Sequence, residues 1–151
     1  MSEAVFIIEW LLIVEAIGFI SFPLVARFIN LPDRGYSISK LIGLLLVTYL
    51  VWLEVSLRIS DFGLIAIVFA LVLLVIISFR SFDPRLLPRK GILLKSELVF
   101  MISFLVFTLI IMNKPDIYGP NSEDFMDFAF LQSLLRSAHF PPPDPWMLVR
   151  R

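Results

Sequence analysis

The chain contains no cysteine and a single histidine, His139. These absences exclude a disulfide framework, a CxxC redox pair, a cysteine-held zinc cluster and an iron–sulfur centre. Its six glycines, at positions 18, 35, 43, 63, 91 and 119, are too widely spaced for a GxGxxG turn or a P-loop, so direct nucleotide binding has no sequence support. Charge is also scarce, with 17% of the 151 residues charged against roughly 25% in ordinary soluble domains. Hydrophobic residues make up 59% of the chain and the mean hydropathy is +0.92. They form long unbroken runs, not the alternating or 3.6-residue patterns that a water-facing surface imposes, which excludes a soluble globular fold. Thirteen basic residues balance thirteen acidic ones, so net charge indicates no nucleic-acid partner.

What is present is an all-α, polytopic integral membrane protein. A bilayer core about 30 Å thick needs about 20 apolar residues at 1.5 Å rise. Four stretches qualify: 4–28, 41–57, 62–79 and 92–112. The first begins with Glu3 instead of a Lys/Arg cluster and lacks a small-residue cleavage site, so it is expected to be retained. Pro23 is expected to kink it. Spans two and three form a helical hairpin across the Arg58-Ile59-Ser60-Asp61 turn, and Pro84 and Pro88 keep the next loop from being helical throughout. Residues 1–112 thus read as a transmembrane region and 113–151 as a tail.

Orientation follows from the basic residues. Arg27, Arg34 and Lys40 flank the first loop and Arg80, Arg85, Arg89, Lys90 and Lys95 the third. The positive-inside rule puts loops 29–40 and 80–91 in the cytoplasm, with the amino terminus and tail outside the plasma membrane. Trp10, Tyr49, Trp52 and Phe62 stand near span ends, as aromatic anchors do.

Four acids lie in or beside the spans. Glu97, close to Lys95, reads as an interfacial charge. Glu9 falls toward the outer leaflet, with Glu15 about 9 Å deeper. For Glu15 and Glu54, interhelical hydrogen bonding, a ligand or proton role, and snorkelling to the lipid edge all remain open.

The tail carries the remaining chemistry. After turn-rich residues 114–122, positions 122–137 read as an amphipathic helix with Asn121 as its N-cap. Phe128, Phe130, Leu131, Leu134 and Leu135 share one broad face, with Gln132, Ser133 and Arg136 opposite. Such a segment lies along a membrane surface. Asp124 and Asp127 fall within the angular range of the apolar face. They are either wet first-turn caps or carboxylates held at the membrane rim as a general base or metal ligand, and spacing alone does not separate these.

The stretch Asn121-Ser122-Glu123-Asp124-Phe125-Met126-Asp127-Phe128, then Leu135-Arg136-Ser137, then Phe140-Pro141-Pro142-Pro143-Asp144-Pro145-Trp146, resembles the signature of the uncharacterised "YYY" polytopic membrane proteins. That family is grouped with the C-superfamily membrane glycosyltransferases, in which an acidic external loop and a membrane-parallel helix serve a lipid-linked sugar donor. The resemblance implies Asp127 as general base, with Glu123 and Asp124 as alternatives or as ligands of a divalent cation. Arg136 would meet a lipid phosphate, with His139 and Trp146 as further substrate contacts and Asp144 as a turn residue. Relatives continue into a tyrosine-rich segment and many more spans. The resemblance therefore implies an amino-terminal fragment, inactive alone, whose missing half comes from a second polytopic chain if the gene is split. The alternative expectation is a non-catalytic membrane scaffold or assembly subunit; a small transporter has little support, because the spans lack polar and glycine-broken character.

Overall fold

The structure, a computed structural model, describes residues 3–113 and 124–146. It contains α1 (Glu3–Phe28), α2 (Tyr36–Ser56), α3 (Leu64–Ser81), α4 (Lys90–Met112) and α5 (Asp124–Arg136), with a short 3-10 turn at Pro84–Leu86. The first four are long and apolar enough to cross a membrane. Among the described residues there is no strand, and each helix satisfies its backbone groups within its own segment, one of the two solutions a bilayer allows.

The helices α1, α2 and α3 pack together, while α4 packs against α2 and carries no buried residue. Close approach of α1 to α2 depends on small residues. A Cβ on Gly43 would stand 2.7 Å from both the Ile17 side chain and Ser21 Oγ, and one on Gly18 would stand 2.4 Å from Lys40 Cγ. At the same crossing the Ser21 hydroxyl donates to the Ser39 carbonyl at 2.7 Å. Lipid tails are as apolar as leucine, so near contact and interhelical hydrogen bonds of this kind hold spans together. On α3, Ala66, Ala70, Leu74 and Ser78 form a buried stripe at four-residue spacing. Ala66 and Ala70 meet Val51 and Val55 of α2.

The first loop is shorter than its hydropathy suggests, because α2 begins at Tyr36, five residues before the apolar run. Asp33 explains the early start. Its carboxylate accepts the Gly35 and Ser37 amides at 3.0 and 2.9 Å and the Ser37 hydroxyl, supplying partners for the first turn. Burial works to raise the Asp33 carboxyl pKa, but these hydrogen bonds outweigh it and hold the group below its ordinary value. Gly35 takes a left-handed conformation at φ 79°, and a Cβ there would also meet Val25 at 2.8 Å.

The α2–α3 turn closes with paired bonds from the Arg58 amide to the Val55 carbonyl and from the Ile59 amide to the Glu54 carbonyl, at 3.1 and 3.0 Å. This is a Schellman arrangement, with Arg58 at φ 56° where glycine is usual. In the third loop the Asp83 carboxylate accepts the Arg85 amide at 2.9 Å ahead of the 3-10 turn, as its two prolines require of a non-helical connection.

Candidate functional site

Residues 137–140 tie the tail to the hairpin. The Phe62 amide donates to the Ala138 carbonyl at 2.7 Å, and the Phe62 and Phe140 rings lie 5.2 Å apart. Phe140 reaches the Val51–Val55–Ala66–Ala70 cluster. Phe62 is thus a packing residue instead of a bare membrane anchor, whereas Trp10, Tyr49 and Trp52 remain exposed. His139 stands 3.6 Å from the Asp61 carboxylate at this junction.

From there the proline-rich segment runs back along α5. The Ser133 hydroxyl donates to the Pro143 carbonyl, and the Trp146 ring meets Phe125 edge-on at 5.9 Å. Asp144 is a turn residue, its carboxylate accepting the Trp146 amide at 2.9 Å. Between the segment and the helix lies a groove of about 410 Å³, lined by Gln132, Ser133, Arg136 and Asp144 among others.

The implied site residues do not all converge. Arg136 and Asp144 share the groove, with the Phe125–Trp146 pair farther toward the start of α5. Asp127 is exposed and, nine positions before Arg136, lies about 180° around the helix from it. His139 sits past the carboxyl end of α5, at the opposite end from Trp146. Asp124 opens α5, but its side chain is outside the description, and Glu123 and the Asn121 cap lie outside the described residues. No three His, Cys, Asp or Glu side chains gather within metal-binding range among the described residues.

A second polar centre, unforeseen from the sequence, lies within the bundle. Lys40 Nζ is 2.6 Å from Glu15 Oε1 of α1. It also donates to both carboxylate oxygens of Glu97 on α4, at 2.8 and 3.1 Å. The Tyr36 hydroxyl donates to Glu97 at 2.9 Å, and Lys40 Nζ stands 3.6 Å from the Phe100 ring centroid. Glu97 is therefore a partner in an interhelical ion cluster, not an interfacial charge, and Lys40 belongs to α2 instead of the loop. The physical reason is mutual compensation, since a cation is tolerated at membrane depth when carboxylates and an aromatic face replace its water. Acids in spans one and four with a lysine at the start of span two were the available signal. Glu15 thus bonds between helices, whereas Glu54 accepts the Ser60 hydroxyl of the adjoining turn at 2.7 Å.

These features define a polytopic, all-helical membrane protein with an amphipathic tail docked on one end of its bundle. The chain belongs to the family described as Uncharacterized membrane protein (DUF2298), whose model matches residues 46–147. That match takes in the second half of α2, all of α3, α4 and α5, and the proline-rich segment. No match is found among curated proteins or among solved structures.

Proposed function

We propose that the chain is the amino-terminal membrane portion of a glycosyltransferase-like protein that uses a sugar carried on a lipid phosphate, with α5 and the proline-rich segment forming its extracytoplasmic binding face. The groove along α5 carries this reading. A sugar phosphate needs hydrogen-bonding groups, a cation and a flat apolar surface in one place. The groove offers Gln132, Ser133, Arg136 and Asp144, and the Phe125–Trp146 pair adjoins it.

The opposite placement of Asp127 and Arg136 suits two different substrates. Arg136 takes the phosphate of the donor, and Asp127, exposed on the face toward lipid, accepts the proton of an acceptor hydroxyl. Glu123 and Asp124 remain alternative bases or ligands for a divalent cation. His139 holds the tail junction through Asp61, and Trp146 provides the apolar wall. Basic residues Arg27, Arg34, Arg80, Arg85 and Arg89 lie at the bundle end away from the tail, which supports a cytoplasmic assignment for that end in the plasma membrane. With no buried residue, α4 is the flank on which a second polytopic chain would pack.

The test is binding, so that it does not depend on turnover. In nanodiscs, a Trp10→Phe/Trp52→Phe variant leaves Trp146 as the sole reporter. A polyprenyl-phosphate hexose should shift its fluorescence, and sugar-free polyprenyl phosphate should shift it less. No response, or a response unaffected by Arg136→Ala, overturns the proposal.

A further inference from the structure

At the end of the bundle away from the tail, Arg27 in the last turn of α1 and Arg80 in the last turn of α3 line a common pocket of about 470 Å³. Neither guanidinium makes a hydrogen bond or ion pair among the described residues. Each is favoured singly by the negative end of its helix dipole. Two unpaired guanidiniums against one carboxylate, that of Asp83, leave the pocket with an excess of positive charge. Asp83, also at the rim, has a carboxylate oxygen engaged by the Arg85 amide at 2.9 Å.

Phe82 lines this pocket and also a second space, an apolar crevice of about 290 Å³ running between α1 and α3. Its walls include Phe19, Pro23, Val75 and Phe79, so it opens within the membrane-spanning segments. Ser78 lines the crevice as well. This residue is only 3% exposed, and its hydroxyl has no partner among the described residues. It lies two positions, or about 3 Å of helix rise, from Arg80. Arginines at a helix end, a buried free hydroxyl just inside and an apolar channel beyond follow the polarity profile of a phospholipid.

We infer that the Arg27–Arg80 pocket and the α1–α3 crevice together bind one membrane phospholipid with a net anionic headgroup. Its phosphate pairs with the two guanidiniums, the Ser78 hydroxyl donates to an ester carbonyl, and an acyl chain fills the crevice past Pro23. The Arg27–Arg80 end is well removed from the α5 groove, so the inference stands apart from the sugar-transfer proposal.

The test uses the full chain in detergent with phosphatidylglycerol or phosphatidylcholine of identical acyl chains, read by native mass spectrometry and thermal unfolding. Phosphatidylglycerol should be retained at one per chain and raise the melting temperature more than phosphatidylcholine. Arg27→Gln/Arg80→Gln should weaken retention by about tenfold or more, while the charge-matched Arg85→Gln/Arg89→Gln pair retains the lipid. Val75→Trp, which fills the crevice and leaves both arginines in place, should also lose it. Equal retention of the two lipids, equal loss in both arginine pairs, or equal stabilisation by glycerol 3-phosphate alone overturns the inference, the last by showing a free-anion site.

Discussion

Lys40 and Glu97, fifty-seven positions apart, meet in a two-pronged contact at 2.8 and 3.1 Å that ties α2 to α4. The Lys40 side chain is 6% exposed and Glu97 26%, so water does little to screen the pair. Removing the lysine strands both carboxylates.

Lys40→Met should therefore destabilise the bundle by roughly 3–5 kcal/mol, because Glu15 and Glu97 lose their shared cation. The triple variant Lys40→Met/Glu15→Gln/Glu97→Gln should recover much of that loss, since no uncompensated charge remains. Unfolding in mixed micelles measures both, and a Lys40→Met protein as stable as wild type would refute the compensation.

Gly43→Ala should cost about 1–3 kcal/mol by forcing α1 from α2, given the 2.7 Å approach of its added Cβ to Ile17 and Ser21. Gly63→Ala is the control. Nothing lies within 4 Å of that Cβ, and the φ of 169° is extended backbone open to any residue. Equal melting temperatures for the two variants would contradict the packing.

Tail docking predicts sidedness. The chain has no cysteine, so single cysteines at Asp61 and Asp144 should both react with an impermeant maleimide in intact cells. One at Arg85 should react only after permeabilisation. Opposite labelling of Asp61→Cys and Asp144→Cys would break the hairpin–tail contact.

Asp33 sets an acid limit on the first loop. Its folded carboxyl pKa is lowered, burial being outweighed by hydrogen bonds from Ser37 and Gly35. The stability it contributes is complete above the ordinary value of about 3.9 and is lost as pH falls through the lower folded value. Melting curves should show no Asp33-dependent change between pH 7 and about 5, and a loss below about 4 that is smaller in Asp33→Asn. An equally steep acid loss in both proteins would exclude this source.

Asp127→Asn in membranes that transfer sugar from a polyprenyl phosphate should reduce transfer by about a hundredfold or more, in the range of a lost general base, at unchanged protein level. Retained transfer would remove Asp127 from the chemistry.

The helical layout was legible because span length and hydropathy are local properties, and the four runs match α1 to α4 to within a few residues at most ends. The start of α2 was not. Its first turn carries Tyr36, Ser37, Ser39 and Lys40, polar residues that read as loop until the remote partners Glu15 and Glu97 are known. The tail helix was legible from its periodicity, but the return of Trp146 onto Phe125 depends on proline-directed chain reversal that no spacing encodes. The same reversal occupies the polar face, so Arg136 and Asp127 do not look into one space.

The polar ties between α2 and α4 all converge on Glu97 among the described residues, which has a mechanical consequence. Glu97 is seven residues beyond the start of α4, whose remaining fifteen residues contribute no buried side chain. A rod latched near one end resists sliding along its neighbour yet permits swinging at the other. The depth of α4 is thus set near its Lys90 end, while α5 is held separately on the hairpin through Phe62, Ala138 and Phe140.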